Sequence, residues 1–140
     1  MKWNKKVMTA VLAAMMTLGT LGTSFAAGLG TIDMSALLQK HPQFPKAMTE
    51  WQTDVTNTQK DFQAELKKTS DKKAQEELVK KYNADLNKKR IALFNPLEKD
   101  VLEKTKQVQK EKGLDYIVLK GAVVIGESQD ITNDVAAKLK

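Results

Sequence analysis

Residues 45–112 read PKAMTEWQTDVTNTQKDFQAELKKTSDKKAQEELVKKYNADLNKKRIALFNPLEKDVLEKTKQVQKEK. From Lys46 to Lys112 the stretch contains no Gly and one Pro, Pro96. Ala, Gln, Glu, Lys and Leu dominate it, the residues that lose least on entering a helix. As one rod it would reach about 100 Å at about 1.5 Å per residue. That is far too long for a chain of 140 residues. The point of return is Thr69-Ser70-Asp71, where two short hydroxyl side chains and a carboxylate compete with helical bonding and can cap a new helix. The reading is an antiparallel helical hairpin with arms about 35 Å long. Its second helix overruns the first, kinks at Asn95-Pro96 without stopping, and ends at Gly113. Gly113 followed by apolar Leu114 is the pattern of a Schellman cap.

The seam between the two helices is thin. Trp51, Val55, Phe62 and Leu66 face Val79, Tyr82, Leu86, Leu93, Leu97, Val101 and Val108 at coiled-coil spacing. Thr58, Lys89 and Arg90 stand where Leu or Ile would be wanted. Apolar residues crowd one end (Trp51, Val55, Ile91, Leu93, Phe94) and thin out toward Thr69-Ser70. Such arms hold at the base and loosen at the tip.

Outside the hairpin the periodicity changes. Gly28 to Asp33 reads as a short strand and Met34 to Gln39 as a turn of helix, with His41 to Pro45 as a linker because each Pro biases its predecessor away from helix. Tyr116 to Leu119 and Ala122 to Ile125, two apolar β-rich runs around Lys120-Gly121, predict a β-hairpin covered on both faces. Thr132 then caps a last helix, Asn133 to Leu139, with Asp134 in its first turn.

Residues 1–26 carry Lys2, Lys5 and Lys6, an apolar run from Val7 to Leu21, and Ser24-Phe25-Ala26, which together read as a cleavable signal peptide with cleavage near Ala26-Ala27. The expected location is the periplasm. Residues 27–140 then form one domain, with 27–45 and 97–140 as a body and 46–96 as a helical arm. The sequence holds no Cys, so no disulfide framework contributes. After residue 26, 20 Lys and Arg stand against 17 Asp and Glu, and residues 60–90 alone hold ten against six. The positive excess lies on the arm.

The body is poorly supplied with apolar residues, and an isolated two-stranded ribbon is marginal in water. A ribbon apolar on both faces would also aggregate through its edges. Self-association into a shared barrel answers both problems, and cyclic symmetry would point all arms from one base. Ile32, Tyr116, Ile117, Val118, Leu119, Val123, Val124 and Ile125 are the expected oligomer core. The number of copies does not follow from this argument.

Several stretches together resemble the Skp, or OmpH-like, family of periplasmic chaperones. They are Gly-Thr-Ile-Asp-Met at 30–34, Asn-Pro-Leu at 95–97, Lys-Glu-Lys-Gly-Leu-Asp-Tyr-Ile-Val-Leu at 110–119 and Asp-Ile-Thr at 130–132. The C-terminal third carries the specific part of the likeness, and the hairpin resembles the family in character. The resemblance implies an α+β fold, a helical tentacle on a small β body completed by homotrimerisation. It also implies an ATP-independent holdase that encloses unfolded outer-membrane β-barrel proteins between its arms. The arms are shorter than those of the best-known member, which bears on client size and on the ratio of chaperone to client.

For client contact the expected residues are Phe62 and Tyr82, with Lys67, Lys68, Lys72, Lys73, Lys80 and Lys81 steering capture. The same lysines also read as a solvated helix face with pairs such as Glu77–Lys81, and Phe62 and Tyr82 as seam residues. Lys88-Lys89-Arg90 suggests the family's anionic-lipid contact. The alternative function is a basic polyanion-binding protein acting on lipopolysaccharide or nucleic acid; the signal peptide argues against nucleic acid. His41, alone beside Pro42, reads as a linker residue. One His and no Cys give no metal cluster of usual spacing. Neither a P-loop nor a nucleophile elbow is present, so no catalytic residue, metal or cofactor is expected.

Overall fold

A computed structural model describes residues 28–140; the expected signal peptide lies outside the described residues. In chain order the elements are β1 (Leu29–Ile32), α1 (Met34–Lys40), α2 (Phe44–Lys68), α3 (Lys72–Lys112), β2 (Tyr116–Leu119), β3 (Gln129–Asp130) and α4 (Thr132–Ala136). The fold is α+β and mostly helical, with one small parallel sheet.

The hairpin of α2 and α3 turns at Thr69–Asp71. Thr69 closes α2: its N–H donates to Leu66 O at 3.1 Å and its hydroxyl to Glu65 O at 2.8 Å. Asp71 opens α3 by accepting from Ala74 N at 2.9 Å, and Gln75 Nε2 ties the turn down by donating to Thr69 O at 2.8 Å. These bonds satisfy groups that helix ends otherwise leave bare. α2 carries many threonines for a helix; Thr49, Thr53 and Thr56 return their hydroxyls to the carbonyl four residues back. α3 passes Pro96 without interruption and ends at Gly113, whose φ of 63° is left-handed. Gly113 N donates to Lys110 O and Leu114 N to Gln109 O, the two bonds of a Schellman cap.

The sheet departs from the sequence expectation. β1, which the sequence predicts only as a short strand, is its centre, and the order is β2-β1-β3 with both pairings parallel. Leu29 stands opposite Tyr116 and Ile32 opposite Leu119. The hairpin of 116–119 with 122–125 does not form. Residues 120–128 instead carry the chain from one edge of β1 to the other, where Gln129 and Asp130 pair with Gly30 and Thr31. The physical reason is that β1 offers an open backbone ladder on both edges, with α1, α3 and α4 near it to cover a face. A hairpin apolar on both faces would find no second cover within one chain. Gly30 allows β2 to lie close, because a Cβ there would meet the side-chain ends of Ile117 and Leu114.

One core cluster holds the body: Ile32, Leu37, Val101, Val108, Ile131, Val135 and Leu139. Val101, Thr105 and Val108 lie three and four residues apart, so a single face of α3 enters it, and Thr105 returns its hydroxyl to Val101 O at 2.7 Å. The helix at the root of the arm is thus also the floor of the body.

The last helix is shorter than expected and is capped differently. Ile131, fully buried, occupies the N-cap without a side-chain bond. Asp130 takes the capping task, accepting from Thr132 Oγ1 at 2.6 Å and Thr132 N at 3.0 Å. Thr132 Oγ1 accepts in turn from Asp33 N at 2.9 Å, joining α4 to the end of β1. The two bonds from Thr132, then that from Lys120, hold the Asp130 carboxyl down to about 2. A carboxylate lowered in the folded state contributes stability that is complete above its unfolded value of 3.8 and lost as pH falls to about 2. Asp130→Ala is therefore expected to cost about 1 kcal/mol, the usual loss of a cap. Urea unfolding at fixed chain concentration should show this cost at neutral pH and its disappearance near pH 2.

Candidate functional site

The candidate site is the arm. Its root is clasped by Phe44 and Phe94, ring centroids 6.2 Å apart, beside buried Ala47 and Leu97. One level further out Lys89 reaches across from α3 to Asp54 of α2 at 2.8 Å. Lys89, read as a flaw in the seam, thus links the two helices. Both partners keep solvent contact, so the pair contributes about 0.2–1 kcal/mol and less at high salt.

Beyond that pair a half-open groove of about 400 Å³ runs along the two helices, lined by Val55, Thr58, Phe62, Val79, Tyr82 and Leu86 among others. Thr58, also read as a flaw, is buried at its floor. Phe62 and Tyr82 close the distal end edge to face, with centroids 5.5 Å apart. Lys81 Nζ sits 5.3 Å from the centre of the Tyr82 ring and 3.8 Å from Glu65 Oε2. Desolvation first, then the hydroxyl's bond to Glu65 and the charges of Asp61, Glu65 and Asp85, push the Tyr82 phenol up to about 12. Tyr82 therefore presents a neutral ring at any pH the protein would meet.

The structure thus joins Phe62 and Tyr82 into one feature with Val55, Val79 and Leu86. Seam spacing puts these three on the facing sides of the two helices, and the structure shows them lining a groove. Lys67, Lys68, Lys72, Lys73 and Lys80 are exposed around the tip and enter none of the ion pairs among the described residues. Lys88-Lys89-Arg90 is not one patch: Lys89 is turned to Asp54, and Arg90 donates to Asn87 Oδ1 at 3.3 Å. In the body, Ile32 belongs to the chain's own core at 3% exposure, while Ile117, Val118 and Val123 are half-buried. Tyr116, Leu119, Val124 and Ile125 lie open, the last two at 90% and 93%.

His41 is the residue that sequence reasoning missed. It is buried, its Nε2 lies 3.3 Å from Asp100 Oδ2, and its Nδ1 accepts from Gln43 N at 3.1 Å. Its main partner is 59 positions away, so no local pattern could have revealed it.

Fold and groove together define a class, an α+β protein that carries a long helical hairpin arm on a small parallel-sheet body. The chain belongs to the OmpH-like family: the family model described as outer membrane protein (OmpH-like) matches residues 68–139, just over half of the chain. The match starts at the tip of the arm and continues through α3, the edge strands β2 and β3, and α4; β1 lies outside it. The family is one of chaperones rather than enzymes, associated with outer-membrane proteins and the periplasm. No curated protein matches the chain. Among the described residues no helix is long and apolar enough to cross a membrane.

Proposed function

We propose that this protein is an ATP-independent periplasmic holdase that works as a homotrimer, reaching the periplasm by a signal peptide at residues 1–26. Three bodies join through Tyr116, Leu119, Val124 and Ile125, and the three arms enclose unfolded outer-membrane β-barrel chains. Clients are kept from aggregating by many weak contacts. The tip lysines speed encounter with acidic segments, and the groove between Val55 and Tyr82 supplies apolar contact. Release follows when folding into the membrane outcompetes these contacts. The observation that carries the reading is the bare apolar edge of the body, which leaves large side chains uncovered unless several copies share it.

The arm is the working part on this account. Asp54 and Lys89 already meet at 2.8 Å, so residues 56–87 can be replaced by a short Gly-containing turn without pulling the root apart. The shortened protein should keep its assembled mass by light scattering. It should lose suppression of aggregation when a urea-unfolded outer-membrane barrel is diluted into it. Protection that survives the deletion would move the client site to the body. The unpaired lysines at the tip also favour a contact with lipopolysaccharide or an anionic membrane surface, and such binding should weaken as ionic strength rises.

A further inference from the structure

We infer that His41 is a protonation-sensitive bracket that sets how the arm leaves the body. Three elements meet at this side chain. Its backbone N–H caps α1 by donating to Leu38 O at 3.1 Å, and its carbonyl accepts from Phe44 N at 2.9 Å at the start of α2. Its ring bridges to Asp100, next to core residue Val101 on α3.

The hydrogen bonds define the ring's state. Nδ1 accepts from the Gln43 N–H, so it carries no proton, and the proton resides on Nε2, which donates to Asp100. A second proton has only Nδ1 to go to, and there it would face the Gln43 N–H donor to donor. Gln43 is exposed and starts α2 without a side-chain cap. Its amide can therefore turn to water at little cost, whereas the ring, buried beside a carboxylate, cannot leave. Protonation thus strengthens the hold on Asp100 and opens the turn from His41 to Gln43, which frees the first turn of α2.

The charges around the bracket leave this choice to His41. On α3 they are Asp100 and Lys104, 3.8 Å apart. On α1, Lys40 is directed to Asn133 of α4 at 3.4 Å. On α2, Lys46 and Glu50 are occupied with each other at 3.9 Å. A change of charge on the ring is therefore passed to the angle of the arm.

The chain holds no Cys, so Ser35→Cys on α1 and Ser70→Cys at the tip give one labelled pair. Diluting labelled chains with unlabelled ones confines the distance to a single chain. Between pH 7.5 and pH 5.5 the spin-label distance distribution should shift and broaden in the otherwise unchanged protein. It should stay fixed in His41→Asn, whose amide oxygen keeps an acceptor for Gln43 N–H and takes up no proton. In the unlabelled protein the Gln43 amide resonance should follow the His41 ring titration with the same midpoint. Equal shifts in both variants, no shift in either, or a Gln43 amide that ignores the ring would overturn the inference. None of these readouts depends on client binding or on the number of chains assembled.

Discussion

Val124→Asp together with Ile125→Asp is expected to bring the proposed trimer down to single folded chains. Both side chains belong to the segment from Gly121 to Gly126, which is bracketed by glycines with φ of 90° and 113°. Those left-handed positions turn the segment outward, leaving Val124 90% and Ile125 93% exposed. Neither residue supports the chain's own core, so carboxylates there should leave the single chain folded. In a shared body they would be covered, and burying each is worth about 1.5–3 kcal/mol. Losing both removes about 4 kcal/mol per chain, about a thousandfold in association. Light scattering should report the drop in mass while the far-ultraviolet circular dichroism keeps its helical signal. An unchanged mass would place the contact between copies elsewhere and remove the main support for the proposed trimer.

What was legible in the sequence follows from the range of the interactions involved. The arm was readable because helix, turn and caps are settled within a few residues. Asp71 caps Ala74, Thr69 bonds Glu65, and Gly113 ends α3, all within one turn. The sheet was not readable because its pairings join Leu29 to Tyr116 and Gly30 to Gln129 across most of the chain. Locally, Ala122 to Ile125 has the composition of a strand, yet in the structure it is an exposed loop with Val124 and Ile125 open to solvent. Thr132 was given the capping role, since position alone does not distinguish it from Asp130, two residues earlier and already fixed by Lys120 at 3.0 Å. At the site, the seam spacing located Phe62 and Tyr82. Only the packing shows that buried Thr58 lines a groove where the pattern suggests a weakness.

Leu37→Ala should unfold body and arm together. Leu37 is fully buried in a cluster of seven residues, and emptying such a site costs about 2–5 kcal/mol. A domain of this size has about 5–15 kcal/mol in all, so the loss is a large share. The cluster is built on Val101 and Val108 of α3, the helix that also forms half of the arm. The arm's own closure is slight: two aromatic pairs, two partly exposed ion pairs and a groove in place of a continuous seam. A hairpin held so weakly cannot keep its helices once its root is released, since helices in water draw most of their stability from packing. Trp51, half-buried on α2, reports the arm, and circular dichroism reports all the helices. At fixed chain concentration both urea transitions should move to lower urea together in Leu37→Ala. If the Trp51 transition stayed in place while the rest of the signal moved, the arm would be an independent folding unit, and its tie to the body through α3 would be mechanical rather than thermodynamic.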